Sequence, residues 1–183
     1  MIILKLEKGL VQVYTGEGKG KTTAAIGQGI RAYGNGLKVY MIQFLKGGKT
    51  GELLTIEELG DNFKIFRFEK PKDFTWNLNE EELEQLRLEI REGYNFILDV
   101  IKENKCDLLI IDEVMAVLSN NFLSLKEVLY IIDNKPKDME IVLTGRNVPK
   151  EIIEKSNLVT EMKCINIILM KEYQQEKALN IKL

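Results

Sequence analysis

Histidine is absent from the 183 residues. That removes the commonest general base, the commonest metal ligand and every Ser-His-Asp arrangement. Chemistry here must rest on carboxylates, lysines, a hard metal ion or the reactivity of the substrate itself. Cysteine is scarce: Cys106 and Cys164 each stand beside an apolar run and read as small buried residues, not as a disulfide. No apolar run approaches the roughly 18 residues of a membrane span, and the N-terminus lacks the layout of a signal peptide. A cytoplasmic location with no membrane partner is therefore expected. A strong charge of either sign is also missing: the formal net charge is −2, with no basic footprint for nucleic acid. Local basic clusters then suit a small anion. Repeats, low-complexity stretches and linkers are absent, and the length fits one domain, residues 1–183, with room for a sizeable core.

What is present alternates. Residues 10–15 (LVQVYT) read as a buried strand, 21–33 as a helix ended by Gly34, Asn35 and Gly36, and 38–44 (KVYMIQF) as a second strand. A flexible loop over 45–51, a short helix over 52–59 and a strand over 63–68 follow, then an irregular stretch to 78 with the only tryptophan. Asn79 and Glu82 form a capping-box start for a long helix that places Leu83, Leu86, Ile90, Ile97 and Ile101 on one face. Residues 107–112 (DLLIID) read as a strand ending in acid, and Ser124 with Glu127 caps a helix over 125–133. A strand over 140–144 and a helix opened by Pro149 come next, and 164–170 is predicted as the last strand. Apolar strands alternating with helices predict an α/β fold with a mostly parallel central sheet and helices on both faces, the last strand being open to an antiparallel placement.

The stretch YTGEGKGKTTAA, residues 14–25, sits between the first strand and the first helix. Backbone N–H groups of such a turn make an anion-binding concavity, and the helix N-terminus adds its dipole. Gly16, Gly18 and Gly20 let the backbone approach phosphate oxygens, Lys21 would reach them, and the Thr22 hydroxyl would sit on Mg²⁺. The pattern is close to a Walker A motif but shifted. Thr15 occupies the place of its first glycine, and Lys21 excludes a dinucleotide G-x-G-x-x-G reading. Asp112 and Glu113 close the apolar run 108–111 as a Walker B-like strand would, with a carboxylate toward the metal. Together these predict a P-loop domain that binds a nucleoside triphosphate with Mg²⁺. The ordinary alternative, a mobile glycine-rich surface loop, does not account for the strand on one side and the helix on the other.

The run Gly16–Ala25 (GEGKGKTTAA) resembles the loop variant of the P-loop ATP:corrinoid adenosyltransferases. The resemblance continues in order at Arg31-Ala32 with Gly34 and Gly36, at residues 43–47 (QFLKG), at Gly51-Glu52 and at Phe74-Thr75-Trp76. It returns at Ile111-Asp112-Glu113, Thr144-Gly145-Arg146 and Val159-Thr160-Glu161, and so covers nearly the whole chain. It implies a RecA-like P-loop fold. It also implies transfer of the 5′-deoxyadenosyl group of ATP to the cobalt of a reduced corrinoid, with release of tripolyphosphate. Cobalt(I) is itself a strong nucleophile, which fits a chain without histidine.

By that resemblance Thr15, Gly16, Glu17, Gly18, Lys19, Gly20, Lys21, Thr22 and Thr23 hold the triphosphate, with Arg31, Gln43, Lys46 and Arg146 as further contacts to nucleotide or corrin. Lys21 serves the leaving group. Thr22, Glu113 and Asp112 are assigned to Mg²⁺; Glu52, beside Gln43 and Lys46, is a weaker candidate for ligand contact. Phe74 and Trp76 correspond to the apolar wedge on the lower corrin face, where they would exclude the axial ligand; ordinary core packing is their alternative. A solvated loop arginine is the alternative for Arg146. The resemblance also implies a homodimer and a flavoprotein reductant. Two features depart from the family: little chain precedes the first strand, and the tail reads Asn180-Ile181-Lys182-Leu183, so closure of the site by either end is not expected. Two other classes stay open at this point. One is a P-loop kinase or ATPase that cleaves at the γ-phosphate, and the other is a nucleotide-responsive binding module without turnover.

Overall fold

The computed structural model describes residues 6–48, 50–70 and 75–165, except the side chain of Trp76. Strands β1 (Val11–Thr15), β2 (Val39–Gln43), β3 (Phe63–Phe66), β4 (Leu108–Asp112), β5 (Glu140–Thr144) and β6 (Leu158–Glu161) form one sheet in the order β3-β2-β4-β5-β1-β6. Every described pairing is parallel. Helices α1 (Lys21–Gly34), α2 (Gly51–Glu58), α3 (Glu80–Lys102), α4 (Val114–Ser119), α5 (Leu125–Asn134) and α6 (Lys150–Lys155) connect the strands, with a 3₁₀ turn at Thr75–Asn77.

Period-2 alternation along the strands divides the core into two layers. Leu108 and Ile110 of β4 face Ala25 and Ala32 of α1 and Ile56 of α2. Leu109 and Ile111 face the other way, onto α3, α4, α5 and α6. The strands are therefore apolar on both faces, as a parallel sheet covered on both sides requires. In α3 the residues Leu86, Ile90, Ile97 and Ile101 are buried as their spacing predicts. Complete burial of Ile90 and Ile97 contributes on the order of 1.5–3 kcal/mol each. Both predicted capping boxes form, at Asn79/Glu82 and Ser124/Glu127.

The final strand differs from expectation. Residues 164 and 165 are not strand, so Cys164 is exposed where Cys106 is buried as expected, and 166–170 lie outside the described residues. The last described strand is β6, parallel to β1, with Gln12 opposite Leu158 and Thr15 opposite Glu161. Its side chains are all exposed, so no apolar pattern marks it. Backbone pairing makes it a strand, anchored where Asn157 Oδ1 accepts the Val11 N–H at 2.8 Å. Helix α4 was also unexpected, being six residues long and too short to show a period. No helix among the described residues is long and apolar enough to cross a membrane.

Candidate active site

Because all described pairings are parallel, the carboxyl ends of β1 to β5 share one edge, where open α/β sheets bind ligands. The loop after β1 stands there. Gly20, whose φ is 107°, is the N-cap of helix α1, which has no side-chain cap and no acidic residue in its first turn. The capping boxes of α3 and α5 satisfy those N-termini internally, whereas the α1 amides have no side-chain acceptor and are open to an anion. Lys21 is buried, and its ammonium donates to the carbonyls of Gly16 at 2.6 Å and Gly18 at 2.8 Å, spanning the loop. Burial, then the charge of Arg146, lowers its pKa from the ordinary lysine value.

The loop glycines have a second reason to be glycine. The Gly18 N–H donates to the Met162 carbonyl at 2.6 Å, and the Met162 N–H donates to Thr15 O at 2.8 Å. A Cβ on Gly16 would stand 2.5 Å from the Met162 carbonyl oxygen, and one on Gly18 2.7 Å from it. The chain leaving β6 thus lies directly against the loop, a close approach that only glycine permits.

Beside the loop, Asp112 at the end of β4 is completely buried and saturated with donors. Its Oδ1 accepts from the hydroxyls of Thr22 at 2.9 Å and Thr144 at 2.6 Å. Its Oδ2 accepts from Lys46 Nζ at 2.7 Å and Gln43 Nε2 at 3.2 Å. The same Lys46 ammonium donates to Thr22 Oγ1 at 3.0 Å. Sheet register explains the convergence: Gln43 lies opposite Asp112, and β5, carrying Thr144, runs between β4 and β1.

Glu113 follows in the left-handed region at φ 60° and starts α4. The Thr144 hydroxyl accepts its N–H at 3.0 Å, which turns the chain out of the sheet. Burial, then the neighbouring Asp112 charge, raises the Glu113 carboxyl above the usual carboxylate range.

The structure brings Thr15, Gly16, Gly18, Gly20, Lys21, Thr22, Gln43, Lys46, Asp112 and Glu113 to this edge. Glu17, Lys19 and Thr23 are exposed on the outside of the loop and the first helical turn. Arg146 is 61% exposed and pairs with Glu17 at 3.1 Å, so it is a solvated arginine joined to the loop. Arg31 is not brought to the loop. It is exposed near the end of α1, about 15 Å further along the axis than Lys21 at the usual helical rise. Phe74 lies outside the described residues; Thr75–Asn77, the 3₁₀ turn, includes the backbone of Trp76 but nothing of its side chain.

Two residues escaped sequence reasoning as site members. Thr144 appeared only as part of a matched tripeptide, and its place at the carboxyl end of a buried strand was the available signal. Arg67, one residue beyond β3, donates from Nε and Nη2 to Gln43 Oε1 at 2.9 and 2.6 Å. Its signal was the same.

Thr144→Val keeps the shape but removes a donor to Asp112 and strands the Glu113 N–H. The expected cost is about 1–3 kcal/mol, read from a lowered urea midpoint with unchanged m.

A strand, glycine loop and helix beside a carboxylate-tipped strand, on a parallel sheet with a strand inserted between them, define a P-loop NTPase fold of the RecA-like kind. Solved structures agree. The RadB recombinase superposes with a TM-score of 0.50 at 18% identity, over 86% of this chain and 76% of that one. A KaiC-like protein of Pyrococcus horikoshii OT3 gives 0.50 at 17% identity, over 87% and 76%. Sequence relatives narrow the class. The family model for ATP:corrinoid adenosyltransferase BtuR/CobO/CobP matches residues 7–180. The corrinoid adenosyltransferase of Escherichia coli (strain K12) is 32% identical over 158 residues, 86% of this chain and 78% of its own. That of Sinorhizobium sp is 33% identical over 162 residues, covering 87% and 74%. The chain belongs to the ATP:corrinoid adenosyltransferase family and is a transferase that adenosylates corrinoids.

Proposed function

We propose that this enzyme transfers the 5′-deoxyadenosyl group of Mg·ATP to the cobalt(I) of a reduced corrinoid and releases tripolyphosphate. The cobalt electron pair attacks C5′, the C5′–O bond breaks, and the triphosphate leaves with that bonding pair. No protein base is required, in keeping with the absence of histidine. The observation that carries the reading is the convergence of Lys21, Thr22, Lys46, Asp112 and Glu113 beside uncapped helix amides. Lys21, the loop amides and Lys46 are donors for charge developing on the leaving group.

The donor set fits magnesium in a particular way. Thr22 Oγ1 and the carboxylates of Asp112 and Glu113 are hard oxygen donors. Among the described residues no cluster of three or more His, Cys, Asp or Glu could hold a metal unaided. That pairing suits an ion carried largely by nucleotide phosphates, with one or two protein ligands. When bound, it would neutralise charge on the departing triphosphate. Thr22 and Glu113 would hold it, while Asp112 orients the Thr22 hydroxyl. Because Lys46 donates to both Thr22 Oγ1 and Asp112 Oδ2, a cation at the threonine oxygen would take the place of the first of these bonds and leave Lys46 in register on Asp112.

Phe74 and Trp76 are assigned to the lower corrin face on the family resemblance. The same reading carries a homodimer, a cytoplasmic setting and a flavoprotein reductant.

The test is an anaerobic incubation with Mg·ATP and chemically reduced cobalamin. The expected result is a light-sensitive cobalt–carbon product with stoichiometric tripolyphosphate. ADP and phosphate without a corrinoid spectral change would overturn it in favour of a kinase or ATPase.

A further inference from the structure

Arg67 belongs to none of the motifs above, yet its guanidinium links three parts of the site. Two of its N–H groups meet Gln43 Oε1, at 2.9 and 2.6 Å. Nη2 also donates to Thr50 Oγ1 at 2.8 Å, and Nη1 donates to the Gly48 carbonyl. Glu52, at the start of α2, stands 3.7 Å away as its counter-charge. The Arg67 side chain is 12% exposed, and Gln43 is completely buried.

These contacts have a direction. Gln43 offers one acceptor and one donor group to a buried environment. With Oε1 taken by Arg67, Nε2 is turned to Asp112 Oδ2 and polarised toward it. Asp112 Oδ2 is also the acceptor for Lys46. The loop that Arg67 ties down, at Gly48 and Thr50, is the one that carries Lys46 out of β2. Arg67 therefore acts on the Lys46–Asp112 pair from both sides, through Gln43 and through the loop backbone. We infer that Arg67 is a positioning residue for the adenosyl transfer, holding Asp112 and Lys46 in register with Thr22 without touching substrate. The inference rests on reading the Asp112 cluster as the nucleotide and cation centre.

The test is a double-mutant cycle on kcat at saturating ATP and reduced cobalamin, with thermal midpoints measured alongside. Arg67→Met is expected to lower kcat about tenfold or more, since ångström-scale misplacement costs up to about a hundredfold. Gln43→Met should cause a similar loss, and the double variant should be little worse than the poorer single one, because both act through one carboxylate. A role limited to general stability would lower the midpoint and leave kcat unchanged well below it. Wild-type kcat in Arg67→Met, or losses that multiply in full, overturns the inference. If Arg67→Met does not fold, Arg67→Lys decides. It keeps the charge but not the planar fork, so a several-fold loss of kcat is expected and wild-type kcat refutes the role. Multiplying losses remove only the Arg67 coupling, whereas undiminished turnover in Lys21→Ala removes the reading of the site itself.

Discussion

Lys21→Ala is expected to lose at least about a hundredfold in kcat/KM for ATP, the loss typical of removing one donor from a developing oxyanion. Lys21 is buried at the start of α1, and its ammonium is aimed across the loop at the carbonyls of Gly16 and Gly18. Burial already disfavours its charged form, so a bound anion restores to that charge what the lost solvent supplied. Alanine removes the charge and also leaves two loop carbonyls without their donor. The loop keeps its other anchor, the Gly18 N–H on the Met162 carbonyl, so the fold should survive. Steady-state kinetics with an unchanged thermal midpoint is the check. Wild-type affinity and rate in a folded variant would remove the phosphate-cradle argument.

Asp112 gives the second large effect, and two substitutions separate its duties. Asp112→Ala leaves Lys46 and three neutral donors around a vacant acceptor. Lys46 is partly exposed and can turn to solvent, so the cost is that of the stranded buried donors, about 1–3 kcal/mol, which a urea titration reads directly. Asp112→Asn behaves differently. Its amide can turn its oxygen to Lys46 and Gln43 and its NH₂ to the hydroxyls of Thr22 and Thr144, which rotate to accept. Much of the stability is then retained, but the Thr22 hydrogen now points away from residue 112, toward the side where a cation would be held. Turnover should fall at least about a hundredfold with only a small change in midpoint. An asparagine variant that keeps full turnover would show that Thr22 orientation does not matter. An alanine variant of unchanged stability would show that the buried carboxylate contributes nothing.

Local signals determined much of this protein. The strand, loop and helix over residues 11–34 were legible because each part has its own marker: an apolar run, closely spaced glycines, and a glycine-asparagine stop. The long helix was legible from its period and its capping box. The apolar character of β4 declared a sheet covered on both faces. Ordered motifs along the chain mark the family in the sequence itself.

Tertiary structure alone decided the company each residue keeps. Thr22, Gln43, Arg67, Asp112 and Thr144 lie on separate stretches of chain, and parallel pairing brings their strand ends to one edge. Strand order placed β5 between β4 and β1, which made Thr144 the second hydroxyl on Asp112. Helical rise carried Arg31 away from the loop despite its closeness in sequence. Strand β6 became visible only through its pairing with β1, because its exposed side chains carry no pattern. Periodicity and capping depend on neighbours a few residues apart, so one sequence displays them. Register, strand order and the filling of a buried carboxylate depend on contacts between distant segments, and those are fixed only when the sheet assembles.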